Sequence, residues 1–214
     1  MKQGFSWQLM EAMPIVGIMR NIPAEAVYAI TKHYYEAGLT TLEVTMNTTG
    51  ATSLIDTLVK EYGDKLNIGA GTVLTLKDLD AALTAGAQFI VTPIVNEDVI
   101  FACVKQNIPV FPGAYTPTEI YKAWMLGASM VKIFPASKLG MEYIKEVLAP
   151  MNDLKLLPTG GINLDNCTSF LKAGARGLGL ATSLFPKEYI ENNNWDALRT
   201  LFEQYVAKIT AFKQ

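Results

Sequence analysis

At 214 residues, 50% of them hydrophobic and 18% charged, the chain has enough apolar mass for one large core and reads as a single domain over residues 1–214. Its formal net charge of -2 and scattered lysines and arginines give no basic field for nucleic acid, and no apolar run approaches the roughly 20 residues that span a bilayer. Two cysteines within apparent helices, no leader of the secretory type and a lone histidine point to a reduced, cytoplasmic protein and away from catalytic zinc, whose sites typically take about two or three imidazoles.

Along the chain, eight short runs rich in β-branched or apolar residues read as strands, at 15–19, 41–45, 66–70, 89–92, 109–111, 130–133, 155–157 and 177–180. Segments of helical period separate them, near 24–37, 52–62, 76–85, 96–106, 116–126, 141–148 and 164–173, with a last helix at 195–211. His33 falls in the first of these as a solvated helix residue. Four helices end on a glycine, at Gly38, Gly86, Gly127 and Gly174, where a left-handed C′ residue stops a helix and turns the chain into the next strand. Eight β/α units predict an α/β fold of the closed (β/α)8 TIM-barrel type. A doubly wound open sheet is the alternative, but Met19-Arg20-Asn21-Ile22-Pro23 stands where a dinucleotide-binding fold would place its glycine-rich loop.

Chemistry in such a barrel belongs at the C-terminal ends of the strands. Lys132 interrupts the apolar strand 130–133, and burying an ammonium costs several kcal/mol unless it is paired or its pKa falls to leave a neutral, nucleophilic amine. The competing reading is a strand-end lysine that snorkels to water. Glu43 is the only other charged residue within a predicted strand and away from its N-terminal mouth; Lys155 opens its strand and is expected exposed. A carboxylate beside an amine-derived iminium can exchange protons with carbon, although a structural ion pair would place the same two residues together. Thr159-Gly160-Gly161, read as leading into a helix at Ile162-Asn163-Leu164, and Gly179 to Ser183, which includes Ala181 and Thr182, read as backbone anion sites after the last two strands. Trp124-Met125-Leu126 reads as helix core or as subunit interface.

These residues lie in six ordered motifs: Leu42-Glu43-Val44-Thr45; Gly69-Ala70-Gly71-Thr72-Val73-Leu74; Val91-Thr92-Pro93; Phe111-Pro112-Gly113 with Thr116-Pro117-Thr118-Glu119; Val131-Lys132-Ile133-Phe134-Pro135-Ala136; and Pro158-Thr159-Gly160-Gly161-Ile162. Together they resemble, nearly end to end, the bacterial 2-keto-3-deoxy-6-phosphogluconate (KDPG) and 4-hydroxy-2-oxoglutarate (KHG) aldolase family. The resemblance implies a homotrimeric class I aldolase on a (β/α)8 barrel, with neither metal nor organic cofactor. It implies cleavage of a 2-keto-3-deoxy sugar acid to pyruvate and an aldehyde, either glyceraldehyde 3-phosphate or glyoxylate. By the same resemblance Lys132 forms the imine and Glu43 shuttles protons through water. Thr72 contacts the pyruvyl group, Thr159 lies beside the substrate and affects stereochemical choice, and Pro93 and Phe134 line the pocket.

Two positions depart from the family. Members acting on phosphogluconate carry arginine where this chain has Asn47; the sister enzyme for 2-dehydro-3-deoxy-6-phosphogalactonate is similar to this chain, with asparagine there and an arginine after the first strand, which Arg20 matches. In the phosphate loop, Ala181-Thr182 stands where the family shows Gly-Ser or Gly-Gly-Ser. Two further classes stay open: a sugar-phosphate isomerase or epimerase that uses Glu43 without an imine, and a catalytically silent pyruvate-binding trimer.

Overall fold

A computed structural model describes residues 4–214. Its first half contains α1 (Trp7–Ala12), β1 (Ile15–Met19), α2 (Ala24–Glu36), β2 (Thr41–Thr45), α3 (Ala51–Tyr62), β3 (Asn67–Gly71), α4 (Leu76–Thr84), β4 (Ile90–Val91) and α5 (Glu97–Lys105). The second half contains β5 (Val110–Phe111), β6 (Gly113–Ala114), α6 (Pro117–Met125), β7 (Val131–Ile133), α7 (Gly140–Leu148), β8 (Leu156–Pro158), α8 (Cys167–Lys172), β9 (Leu178–Leu180), α9 (Lys187–Glu191) and α10 (Trp195–Lys213).

Local chemistry sets these boundaries. Capping boxes start α4, at Thr75 and Asp78, and α6, at Thr116 and Glu119 with Pro117 in the first turn. At the other ends, Gly38, Gly86, Gly127 and Gly174 all have positive φ, between 95° and 105°, as the repeated signature predicted. α1 is a helix that periodicity missed: it is six residues long, too short to show a period, and is capped by the Ser6 hydroxyl.

Every strand pair is parallel. Where the sequence predicts a ring of eight, the strands form one sheet of six in the order β5-β4-β3-β2-β1-β9 and one of three in the order β6-β7-β8. The strand expected at 109–111 is β5, and a further short strand, β6, follows it in the second sheet; the break between them falls at Pro112, which has no N–H to give a ladder. Its carbonyl still accepts the Lys132 N–H at 2.9 Å. At the opposite seam a single bridge joins Thr159 to Gly179.

Strand alternation divides the core into two layers. Outward residues such as Leu42, Val44, Ile68, Ala70, Leu178 and Leu180 pack against the helices. Inward, Val16, Phe89, Val91, Phe111, Met130 and Leu157 form a second cluster that Met10 of α1 plugs from below. Lys132 lies two residues beyond Met130 and Thr159 two beyond Leu157, so both occupy the next inward layer toward the C-terminal ends of the strands. On β2 the inward positions are Thr41, Glu43 and Thr45, all buried.

The glycines of β3 and β9 make room for this layer. A Cβ at Gly69 would fall on the Phe89 ring, one at Gly71 on the Glu43 carboxylate, and one at Gly179 on the Thr159 hydroxyl. Among the described residues, no helix is long and apolar enough to cross a membrane. His33 is half-buried and not solvated: its side chain is 19% exposed, 3.8 Å from Glu36, because α10 covers the flank of α2. Trp124 and Leu126 pack on the core while Met125 is 66% exposed, so the segment 124–126 divides between the two readings.

Candidate active site

Among the described residues, Glu43 and Lys132 are the only carboxylate and ammonium that are buried, at 1% and 2% exposure. Both occupy inward strand positions one layer beyond the apolar cluster, toward the C-terminal ends of the strands. They form no direct ion pair: no hydrogen-bond or salt-bridge partner is present for either side chain among the described residues, and Glu43 Oε2 is sealed from solvent without one. A purely structural ion pair would close that gap.

Burial drives the Glu43 carboxyl above the usual carboxylate range, opposed by the positive charge of Lys132 and then of Arg20. Burial likewise pushes the Lys132 amine below its ordinary 10.5, opposed by Glu43 and reinforced by Arg20. Each group is thus shifted toward its neutral form. A neutral amine is a nucleophile, and a carboxyl whose pKa is raised holds its proton more readily and so is better suited to give one as well as to take one.

The other predicted residues lie at or just past the C-terminal ends of the strands. The Phe134 ring centroid lies 4.9 Å from Lys132 Nζ. Gly113, opposite Lys132 in the ladder, packs so tightly on the Pro93 carbonyl that a Cβ would meet its carbon at 2.5 Å. Thr72 follows Gly71 and holds φ at 56°, an uncommon conformation for a β-branched residue and a mark of strain at the site rim. Thr159 is 4% exposed, with its N–H on Ile133 O at 2.9 Å. Arg20 is exposed at the end of β1, within electrostatic reach of both Glu43 and Lys132. Asn47 is exposed in the turn after β2 and makes no hydrogen bond among the described residues.

The two anion loops need a correction. The helix expected at Ile162 begins only at Cys167 and is six residues long, because Asn163 and Asn166 side chains take the intervening N–H groups into a turn. Gly160 and Gly161, at φ 95° and 74°, sit on the 3-10 turn Ala136–Lys138, with no room for a Cβ at Gly161 against Ser137. Ser183 donates to Ile162 O at 2.6 Å, which ties the loop carrying Ala181 and Thr182 to the loop carrying Gly160 and Gly161. The Thr182 hydroxyl is exposed and makes no hydrogen bond among the described residues.

Gly71, Gly179 and Ser183 fell within motifs read from the sequence, but the space the two glycines leave for Glu43 and Thr159, and the tie from Ser183 to Ile162 O, were not read there; two glycines at alternate positions in one strand do leave one face of it bare. A cavity of about 660 Å³ lies at the opposite end of the strands, between Trp7, Lys155, Arg176 and Phe212. It holds neither Lys132 nor Glu43, and Lys155 is exposed there as expected.

A family model described as "KDPG and KHG aldolase" matches residues 7–201. The chain is 36% identical over 180 residues to 2-dehydro-3-deoxy-6-phosphogalactonate aldolase of Escherichia coli, covering 84% of this chain and 87% of that one. It is 34% identical over 196 residues to 2-dehydro-3-deoxy-phosphogluconate aldolase of Haemophilus influenzae, covering 91% and 92%. Among solved structures it is similar to KDPG aldolase from Legionella pneumophila, which holds pyruvate as a covalent carbinolamine intermediate: 28% identity, a TM-score of 0.84, and coverage of 91% of this chain and 95% of that one.

Proposed function

The chain belongs to the KDPG and KHG aldolase family and is a lyase that cleaves 2-keto-3-deoxy sugar acids; we propose that it does so through an imine on Lys132, releasing pyruvate and an aldehyde. One observation carries this reading: Lys132 is the only buried amine among the described residues, and burial lowers its pKa beside a carboxyl that burial raises. The covalent carbinolamine in the Legionella pneumophila relative is the species such an amine forms on the way to an imine.

In this reading neutral Lys132 Nζ adds to the keto carbon, and loss of water gives the protonated imine. Glu43, acting through water, takes the proton of the C4 hydroxyl; the C3–C4 bond breaks, its electrons enter the iminium, and the aldehyde leaves. Glu43 returns the proton to C3 of the enamine, and hydrolysis frees pyruvate and the amine. Arg20 holds the substrate carboxylate in place of the arginine that Asn47 replaces, Thr72, Pro93 and Phe134 line the pyruvyl pocket, and the backbone of Gly160, Gly161, Ala181 and Thr182 receives the far anionic end.

The substrate is 2-dehydro-3-deoxy-6-phosphogluconate, 4-hydroxy-2-oxoglutarate or both. A second reading, the galactonate epimer, is favoured by Arg20 standing within reach of the buried pair while Asn47 faces solvent. Supporting one closed (β/α)8 domain, the Thr159–Gly179 bridge links the two sheets at one seam, and the Ser129 N–H, given to Val110 O at 3.0 Å, links β5 to the segment entering β7 at the other. The apolar side chains of α5 and α6, Phe101 at 68% exposure, Met125 at 66% and Tyr121 at 50%, suit a homotrimer interface. Two free, buried cysteines suit a cytoplasmic setting.

Borohydride reduction in the presence of pyruvate tests the imine. An adduct mapped by mass spectrometry to the peptide containing Lys132, absent in Lys132→Arg, is the expected result. Cleavage that survives that substitution would return the protein to the isomerase-like alternatives.

A further inference from the structure

The turn that carries Arg20 is held from the neighbouring strand by one side chain. Arg20 directly follows β1, and Asn21 next to it is in the left-handed region at φ 53°, a conformation asparagine tolerates better than most residues. Thr48 accepts the Asn21 N–H at 3.0 Å, and its hydroxyl meets Thr45 Oγ1 at 3.1 Å. A hydroxyl donates once and accepts twice, so both contacts coexist. Thr48 is 6% exposed, and its own N–H reaches Thr45 O at 2.9 Å, so the pair forms one rigid end to the strand that presents Glu43.

Arg20 has no hydrogen bond or ion pair of its own among the described residues. No side chain aims its guanidinium, which leaves the backbone at Asn21 to do so. We infer that Thr48 is a positioning residue for keto-acid binding: its hydroxyl fixes the Asn21 turn and thereby directs Arg20 at the substrate carboxylate. The inference rests on the proposed carboxylate role of Arg20. It also assigns a purpose to a polar side chain that strand-end packing alone would not require.

The experiment measures the pyruvate concentration that half-saturates borohydride trapping, together with KM and kcat for cleavage, in Thr48→Val, Thr48→Ser, Arg20→Gln and the Val/Gln double variant. Thr48→Val raises half-saturation and KM about threefold to tenfold, the weight of one hydrogen bond, while kcat stays within about twofold. Thr48→Ser restores both values. The double variant is no weaker than Arg20→Gln alone, since both substitutions remove the same contact.

Unchanged half-saturation in Thr48→Val beside a raised value in Arg20→Gln overturns the positioning role and spares Arg20; so do fully additive losses in the double variant. Unchanged half-saturation in Arg20→Gln overturns the role of Arg20 itself and the inference with it. If Thr48→Val does not fold, Asn21→Ala, which keeps the N–H but favours the φ 53° turn less, must give the same rise, and no rise overturns the inference.

Discussion

Glu43 rests its carboxylate on the bare Cα of Gly71: a Cβ built there would sit 2.7 Å from Glu43 Cδ. Two inward positions of adjacent strands share the space of one side chain, which is how the sheet interior admits a carboxyl in the layer next to a packed apolar one.

Gly71→Ala therefore displaces the carboxylate and leaves the fold in place, because Gly71 has ordinary φ and the atoms it would strike end a flexible side chain. General acid and base groups contribute about 100-fold to 10,000-fold, so partial misplacement costs at least about tenfold in kcat. Trapping of pyruvate on Lys132 survives. Equal loss of trapping and cleavage would show that the glycine serves the lysine instead.

Imine formation consumes the neutral amine, so the trapping rate rises with pH through the Lys132 pKa, which burial holds below 10.5. The midpoint of the rate profile lies below that value. Glu43→Gln removes the charge that raises the lysine pKa and moves the midpoint lower; Arg20→Gln removes a charge that lowers it and moves the midpoint higher. A midpoint at the ordinary lysine value, or shifts of the opposite sign, would contradict the electrostatics.

Lys132→Met is expected to abolish trapping and stabilise the fold, by about 1 kcal/mol or more in denaturant melts. The folded pKa of Lys132 is depressed, so the lysine's contribution to stability is present at high pH and is lost as pH falls through that pKa. The gain from methionine is consequently larger at pH 6 than above pH 10.5, the ordinary lysine value. A pH-independent difference would mean that the amine is not desolvated.

Gly179→Ala places a methyl against the Thr159 hydroxyl across the seam between the two sheets. Thr159 must turn, and discrimination between the gluconate and galactonate epimers, measured as the ratio of their kcat/KM values, shifts by about tenfold, the scale of one small steric change in a pocket. An unchanged ratio would separate Thr159 from stereochemical choice.

Much of the site was legible in one dimension because burial leaves a mark on composition. Lys132 and Glu43 stand out as charges inside apolar runs, and both proved to be buried. Helix ends were legible where glycine must take positive φ, but the turn at Asn163 to Asn166 was not, because its side-chain hydrogen bonds compete with a helix that the apolar pattern alone supports. The short strand β6 went unread because two residues, Gly113 and Ala114, are too few to show a period. Arg20 and Asn47 could not be ranked by sequence, since exposure and direction at a loop depend on neighbours that lie far along the chain.

The sequence by itself determined the order of β/α units, the buried amine and the carboxyl fitted to serve it, because period, β-branching and charge are properties of residues in a row. Tertiary structure decided that Glu43 and Lys132 face one another without touching, that Gly71 and Gly179 hold the space around Glu43 and Thr159, and that Thr48 fixes the turn of Arg20. Those relations depend on the register of parallel strands and on separations through space, and Coulomb interaction and desolvation follow distance through the fold, whatever the distance along the chain.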